Sequence, residues 1–208
     1  LTIAQLNPTV GDLTGNRDKI IATMADYAVE SDLIVFPEMI VTGYPPDDLV
    51  LKPYFMQRVA ESVSEIIKAT GTYKCGIVLP APMRGEDGAL YNCALVIENG
   101  DVLATIYKNH LPNYGVFDEA RLFQAGPLPD MVDFHGMLLG IIVCEDMWYH
   151  DIAAKLGQQG AELLIVVNAS PYETHKDARR MDGASGCVDT AGVPLVYVNQ
   201  VGGQDELV

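Results

Sequence analysis

The sequence predicts one layered α/β domain, with strands paired in mixed directions and helices on the outer faces of the sheets. Three observations lead to that class. Short runs rich in Ile, Val and Leu alternate with amphipathic stretches of helical length. An Asn-Gly pair at 99–100 between two apolar runs marks an antiparallel hairpin. The 208 residues show no composition break, and they suffice for a single sizeable core.

Taken in order, residues 1–6 read as a first strand. Residues 15–32, "GNRDKIIATMADYAVESD", read as a helix whose Ile20, Ile21, Met24 and Ala28 share one face. "LIVF" at 33–36 is a buried strand, and a helix follows at about 55–70. "CGIVLPAP" is the next strand, and "ALYNCALVIENGDVLATIYK" folds back on itself at Asn99-Gly100. Strands are predicted at 137–143, 162–168 and 194–199, with helices at about 150–159 and 175–190. Helices outside mixed sheets imply that each sheet has one helix-covered face.

Composition narrows the function. The formal charge of −15 repels phosphate backbones and argues against nucleic acid. No apolar stretch is long enough to span a bilayer, and "LTIAQLNPTVGD" lacks the pattern of a secretory signal, so a soluble, cytoplasmic protein is expected. Cys75, Cys93, Cys144 and Cys187 are widely spaced in apolar surroundings, which argues against a disulfide framework. The four histidines, 110, 135, 150 and 175, show no metal-binding spacing, so no metal is predicted, and each reads as a surface or core-edge residue.

Three predicted strands end in chemically unusual loops, and strand ends are where such folds place ligands. Glu38 follows "LIVFP", Lys108 follows "VLATIY", and Cys144 follows "LLGIIV". Singly, each has an ordinary reading: a carboxylate capping a turn, a lysine whose stem lies on the core, an inert buried thiol. Together they suit acyl transfer. A desolvated carboxylate can act as general base, an ammonium favours a thiolate and can donate to an oxyanion, and a thiolate attacks carbonyl carbon.

With those residues quoted, the sequence resembles the carbon-nitrogen hydrolase, or nitrilase, superfamily, whose catalytic trio is Glu, Lys and Cys. "FPEM", "YKNHLPNYGVFDE" and "VCEDMW" match its motifs in order. "TGYPPDDL", "NHLPNYGVFDEARLFQAG", "NASPYETHKDARR" and "YVNQVGGQDELV" resemble more narrowly the glutaminase domains of glutamine-dependent NAD+ synthetases. The resemblance implies an α-β-β-α sandwich of two mixed sheets flanked by helices. It implies hydrolysis of L-glutamine to glutamate and ammonia through a cysteine thioester, with Cys144 as nucleophile, Glu38 as proton shuttle and Lys108 as oxyanion donor.

By the same resemblance Tyr114, Ser170 and Lys176 bind the glutamine and Glu119 supports Lys108. Without it they read as a packed loop tyrosine, a helix N-cap, a solvated lysine and a solvated loop acid. Glu145 reads as a supporting residue of the thiol loop, and Trp148 as packing around it. The resembling proteins continue beyond "GGQDELV", so C-terminal strands and a synthetase domain using ATP and Mg are expected to be missing. No phosphate-binding loop is present in these residues, and none is assigned a cofactor. A homo-oligomer is implied. A free-standing amidase or carbamoylase and a non-catalytic scaffold remain as alternatives.

Overall fold

The computed structural model describes residues 1–174 and 176–204. The remaining residues, His175 and the end of "YVNQVGGQDELV" at 205–208, lie outside the described residues. Two sheets stack face to face, and helices cover the outer face of each. β1 (Thr2–Ile3), β2 (Leu33–Val35), β3 (Gly76–Arg84), β4 (Leu90–Glu98) and β5 (Asp101–Tyr107) form the first sheet in that spatial order. Its first three strands are parallel, and the last three alternate in direction. β6 (Val132–Phe134), β7 (Met137–Val143), β8 (Leu163–Asn168) and β9 (Leu195–Asn199) form the second, with only the β6–β7 pair antiparallel.

The period-2 alternation of strand side chains divides the interior into three apolar layers. Ile34, Ile77, Leu79, Leu95 and Ile97 face α1 (Leu13–Tyr27) and α2 (Pro53–Tyr73). Val35, Val78, Ala94 and Val96 point the other way, onto Ile141, Val143, Ile165 and Val167 of the second sheet. Ile142, Leu164 and Val166 then meet α4 (His150–Gln158) and α5 (Lys176–Ala191). A single turn of helix, α3 (Glu119–Leu122), lies in the long loop after β5. The fold is therefore the predicted α-β-β-α sandwich, in which each sheet carries helices on one face and the other sheet on its second.

Local chemistry accounts for the element boundaries. α1 begins at Leu13 rather than at the expected Gly15, because the Asp12 carboxylate accepts the Gly15 N–H at 2.9 Å and caps the helix. It ends at Tyr27, and a 3-10 turn over Ala28–Glu30 replaces the predicted last turn. The first strand keeps only Thr2 and Ile3 of the expected 1–6, since the chain then leaves β2 and Leu6 accepts an N–H from Val201 at 3.1 Å. Pro53 opens α2, and Lys74 closes it in the left-handed conformation. Asn99 and Gly100 both have positive φ, as a two-residue hairpin turn requires. The α4–α5 contact is close at Gly157, where a Cβ would come within 2.8 Å of the Ala191 backbone.

Ile141 is fully buried between the sheets. Truncation to Ala leaves a cavity there, so Ile141→Ala is expected to lower stability by about 2–5 kcal/mol in urea unfolding. Val102→Ala, on the exposed side of β5, should stay within about 0.5 kcal/mol of the parent.

Candidate active site

Glu38, Lys108 and Cys144 leave three different strands and arrive at one end of the sandwich. Glu38 follows β2, Lys108 directly follows β5, and Cys144 directly follows β7. The Glu38 N–H donates to the Asn168 carbonyl at the end of β8, 3.3 Å away, which ties this loop of the first sheet to the second. Both Glu38 and Lys108 are wholly buried, so the lysine does not place its head in water. Its Nζ donates to Glu38 Oε1 and to Glu119 Oε1, each at 2.8 Å.

Two residues that the sequence did not single out complete this cluster. Asn92 Nδ2 donates to Glu38 Oε1 at 2.8 Å and to Glu119 Oε2 at 3.4 Å. The Tyr44 hydroxyl donates to Glu119 Oε1 at 2.8 Å. A signal for Asn92 exists in the sequence, a lone amide within the apolar strand "LYNCALVIE". A buried polar side chain in such a run needs partners. Among the described residues Glu38 Oε2 has no hydrogen-bond partner, which leaves one carboxylate oxygen able to take a proton.

Cys144 has φ of 47°, a left-handed conformation that typically costs a non-glycine residue about 1–3 kcal/mol. It opens a 3-10 turn running to Trp148, and the Trp148 ring packs on Gly183 of α5, where a Cβ would approach within 2.9 Å. The thiol feels both charged neighbours. Burial raises its pKa well above the ordinary thiol value, and the Glu38 and Glu119 carboxylates push it further. Lys108 acts in the opposite direction without prevailing. The ammonium favours the thiolate, as expected, while burial and the two carboxylates act against it. Burial also works against the charge on Lys108, but Glu119 and Glu38 outweigh it and hold the ammonium well above its usual range. Burial raises the Glu119 carboxyl, against the pull of Lys108.

The turn after Cys144 explains why two acids follow the thiol. Asp146 accepts the N–H groups of Asn109 and His110, at 3.2 and 2.7 Å, and the His110 ring Nδ1 lies 2.9 Å from it. His110 sits half-buried at the edge of the core, as its spacing suggested, and from there it ties the loop after Lys108 to this turn. Glu145 is buried and accepts from the Tyr114 hydroxyl at 2.9 and 3.1 Å.

The predicted glutamine-binding residues lie further out. Tyr114 and Lys176 meet at Phe117: the Tyr114 ring packs edge-on against it at 5.4 Å, and Lys176 Nζ sits 5.8 Å from its centroid. Lys176 is also paired with Glu173 at 2.7 Å, across the start of α5. Ser170 and Tyr44 line a cavity of about 340 Å³ together with Arg180, Asn199 and Gln200. Arg180 Nη2 donates to the Ser170 and Pro171 carbonyls at 3.0 and 2.9 Å. The trio does not line this cavity, which adjoins it through Tyr44 and Glu119. Among the described residues no group of His, Cys, Asp or Glu could hold a metal ion, and no helix is long and apolar enough to cross a membrane.

The sequence matches the carbon-nitrogen hydrolase family over residues 1–208. The chain belongs to this family. It is 41% identical to a glutamine-dependent NAD(+) synthetase of Aquifex aeolicus (strain VF5), matching all of this chain and 36% of that protein. A second such synthetase, from Rhodobacter capsulatus, is 43% identical over 99% of this chain and 37% of its own length. The chain thus spans little more than a third of the relatives it matches. Among solved structures, the glutamine-dependent NAD+ synthetase of Acinetobacter baumannii in complex with ADP superposes with a TM-score of 0.90 at 36% identity, covering 99% of this chain and 39% of that one. An amidase from Nesterenkonia sp. superposes with a TM-score of 0.86 at 24% identity, covering 99% of this chain and 77% of that one, and shares the fold.

The His110–Asp146 pair supplies a pH test of the loop that follows Lys108. The hydrogen bond to Asp146 raises the His110 pKa above 6.5, although burial opposes it, and the charges of Asp146, Asp151 and Glu145 add to the rise. Its contribution to stability is complete below the unfolded value near 6.5 and is lost as pH rises through the folded value. Between about pH 6 and about pH 8.5 the urea midpoint should fall further in the parent than in His110→Asn, which has no titrating ring.

Proposed function

We propose that this chain is the glutamine-hydrolysing domain of a glutamine-dependent NAD+ synthetase. The observation that carries the reading is the wholly buried Glu38–Lys108 contact next to the Cys144 thiol, in a carbon-nitrogen hydrolase. The identity of 41–43% to named synthetases supports the choice of glutamine.

The reaction begins with proton transfer from the thiol, whose pKa burial and the neighbouring carboxylates raise. Glu38 takes the Cys144 proton as the sulfur attacks the side-chain amide carbon of glutamine. The carbonyl oxygen becomes an oxyanion, and the Lys108 ammonium stabilises it. One such donor is typically worth about 3 kcal/mol in the transition state. The C–N bond then breaks, Glu38 passes its proton to the departing nitrogen, and ammonia leaves a thioester behind. Water, deprotonated by Glu38, hydrolyses the thioester to release glutamate, and the proton returns to the thiol.

Glu119, shared by Lys108, Tyr44 and Asn92, holds the ammonium in place. Tyr114, Ser170 and Lys176 bind the amino-acid end of the substrate, with Lys176 exchanging Glu173 for the α-carboxylate. Glu145 supports the thiol loop by anchoring Tyr114. The ammonia is consumed by a C-terminal synthetase domain that uses ATP and Mg to convert deamido-NAD+ to NAD+. The assembly is a cytoplasmic homo-oligomer; four buried free cysteines suit a reducing compartment.

Incubation with L-glutamine should release glutamate and ammonia in equal amounts. Cys144→Ala should lower the rate by more than about 10³-fold, and Glu38→Gln by about 10²–10⁴-fold. Lys176→Met should raise KM roughly 10- to 100-fold, the effect of one lost charge-assisted hydrogen bond. A glutamine-like electrophile should label Cys144 by mass spectrometry. Labelling confined to Cys75, Cys93 or Cys187 defeats the assignment, and faster hydrolysis of a simple aliphatic amide points instead to a free-standing amidase.

A further inference from the structure

We propose that Asp146 is a positioning residue for this reaction, setting the Lys108 ammonium against the Cys144 thiol, with His110 as its ring partner. The inference rests on the glutaminase reading for its chemistry and on geometry for its assignment. Lys108 leaves the first sheet and Cys144 leaves the second. Their mutual placement therefore depends on bonds that cross from one sheet to the other.

The bonds made by the Lys108 backbone do not do this. Its N–H donates to the Asn92 carbonyl, and its carbonyl accepts the Gly126 N–H, both at 2.9 Å. The first of these fixes Lys108 to β4 of its own sheet. Asp146 does cross. Two residues beyond the thiol and buried, its carboxylate takes hydrogen bonds from both residues that follow Lys108. Oδ2 accepts Asn109 N–H at 3.2 Å, while Oδ1 accepts His110 N–H at 2.7 Å and lies 2.9 Å from His110 Nδ1. Hydrogen bonds to an ionised acceptor are roughly twice as strong as neutral ones.

The ring is itself held in place. It stacks on Tyr149 with centroids 3.7 Å apart and planes 2° from parallel, and its Nε2 faces Asp151 Oδ2 at 3.9 Å. Asp151 belongs to α4, so His110 reaches the turn and the helix that follow the nucleophile. The clasp consequently joins the lysine loop to the chain on both sides of Tyr149.

The chemistry makes such a clasp consequential. Lys108 lowers the thiol pKa against the opposing effect of burial. Coulomb attraction depends on separation, and a misplacement of about 1 Å in a catalytic group can cost about 10²-fold in rate. A loosened clasp would weaken both the ammonium–thiolate contact and the later ammonium–oxyanion contact, whereas Ser170 after β8 and Lys176 at the start of α5 lie outside the clasp and keep the amino-acid end of glutamine bound. The expected signature is a loss in kcat rather than in KM.

The test is Asp146→Asn in the whole chain. Two readouts are needed: steady-state glutamine hydrolysis, and the rate of Cys144 alkylation by iodoacetamide as a function of pH. We expect kcat to fall about 10- to 100-fold with KM within about threefold, and the alkylation midpoint to move to higher pH. Should the variant fail to fold, His110→Ala takes its place, since that ring is partly exposed. There kcat should fall by about three- to tenfold, and His110→Asn, which keeps a donor near the Nδ1 position, should restore most of it. A folded variant with parental kcat and an unmoved alkylation midpoint overturns the proposal. A lower kcat with an unmoved midpoint overturns it too, because that is the mark of a purely structural staple. If the parent itself releases no ammonia from glutamine but the midpoint still moves in the variant, the glutaminase reading has failed and the positioning role stands.

Discussion

The structure depends on one buried ion cluster. Lys108 lies in the interior with Glu38 and Glu119 each 2.8 Å from its ammonium. Burying an isolated charge costs several kcal/mol even after relaxation. The cluster persists because its members satisfy one another, with Asn92 and Tyr44 supplying further donors to the carboxylates. Burial raises the Glu119 carboxyl, the Tyr44 phenol and the Cys144 thiol, and the two carboxylates around one cation add to the rise. Loss of a single partner from such a cluster leaves an uncompensated charge in the interior, a more serious event than loss of a surface pair.

The location of the cluster follows from the layering. Glu38 and Lys108 come from one sheet and Cys144 from the other, and the apolar layer of Val35, Val78, Val96, Ile141 and Val143 brings the sheets together beneath them. Close packing of that layer resists small displacements. Polar bonds finish the alignment at the rim: Glu38 N–H to the Asn168 carbonyl on one side, and Asp146 to the residues after Lys108 on the other. Apolar stacking sets the approach of the sheets, and directional bonds set the orientation of the reacting groups.

Much of this was legible in the sequence because the relevant signals are local. The alternation of "LIVF", "CGIVLP" and "GIIV" identifies buried strands, and Asn99-Gly100 has little choice but a tight hairpin turn. Glu38, Lys108 and Cys144 stand out because each interrupts an apolar run at its end. Other features were hidden because they are decided by distant partners. The first strand keeps only two residues, and Leu6 bonds to distant Val201 instead of β2, which no local pattern reveals. The single turn α3 and the short strand β6 carry too few residues to show periodicity. Asp146 and His110 are 36 residues apart, and their pairing appears only once the sheets have stacked. The balance of influences on the thiol was hidden for a related reason. An ammonium alone favours a thiolate, whereas the net effect here comes from burial and two carboxylates acting together.

The burial of Cys144 has a consequence for the lifetime of the protein. Oxidants act chiefly on thiolates, and sulfinic or sulfonic damage to a nucleophile is permanent under most conditions. A sulfur enclosed beneath the surface, with its pKa raised by burial and nearby carboxylates, is a poor target for peroxide. The enclosure that shapes the site therefore also shields the idle protein from corrosion.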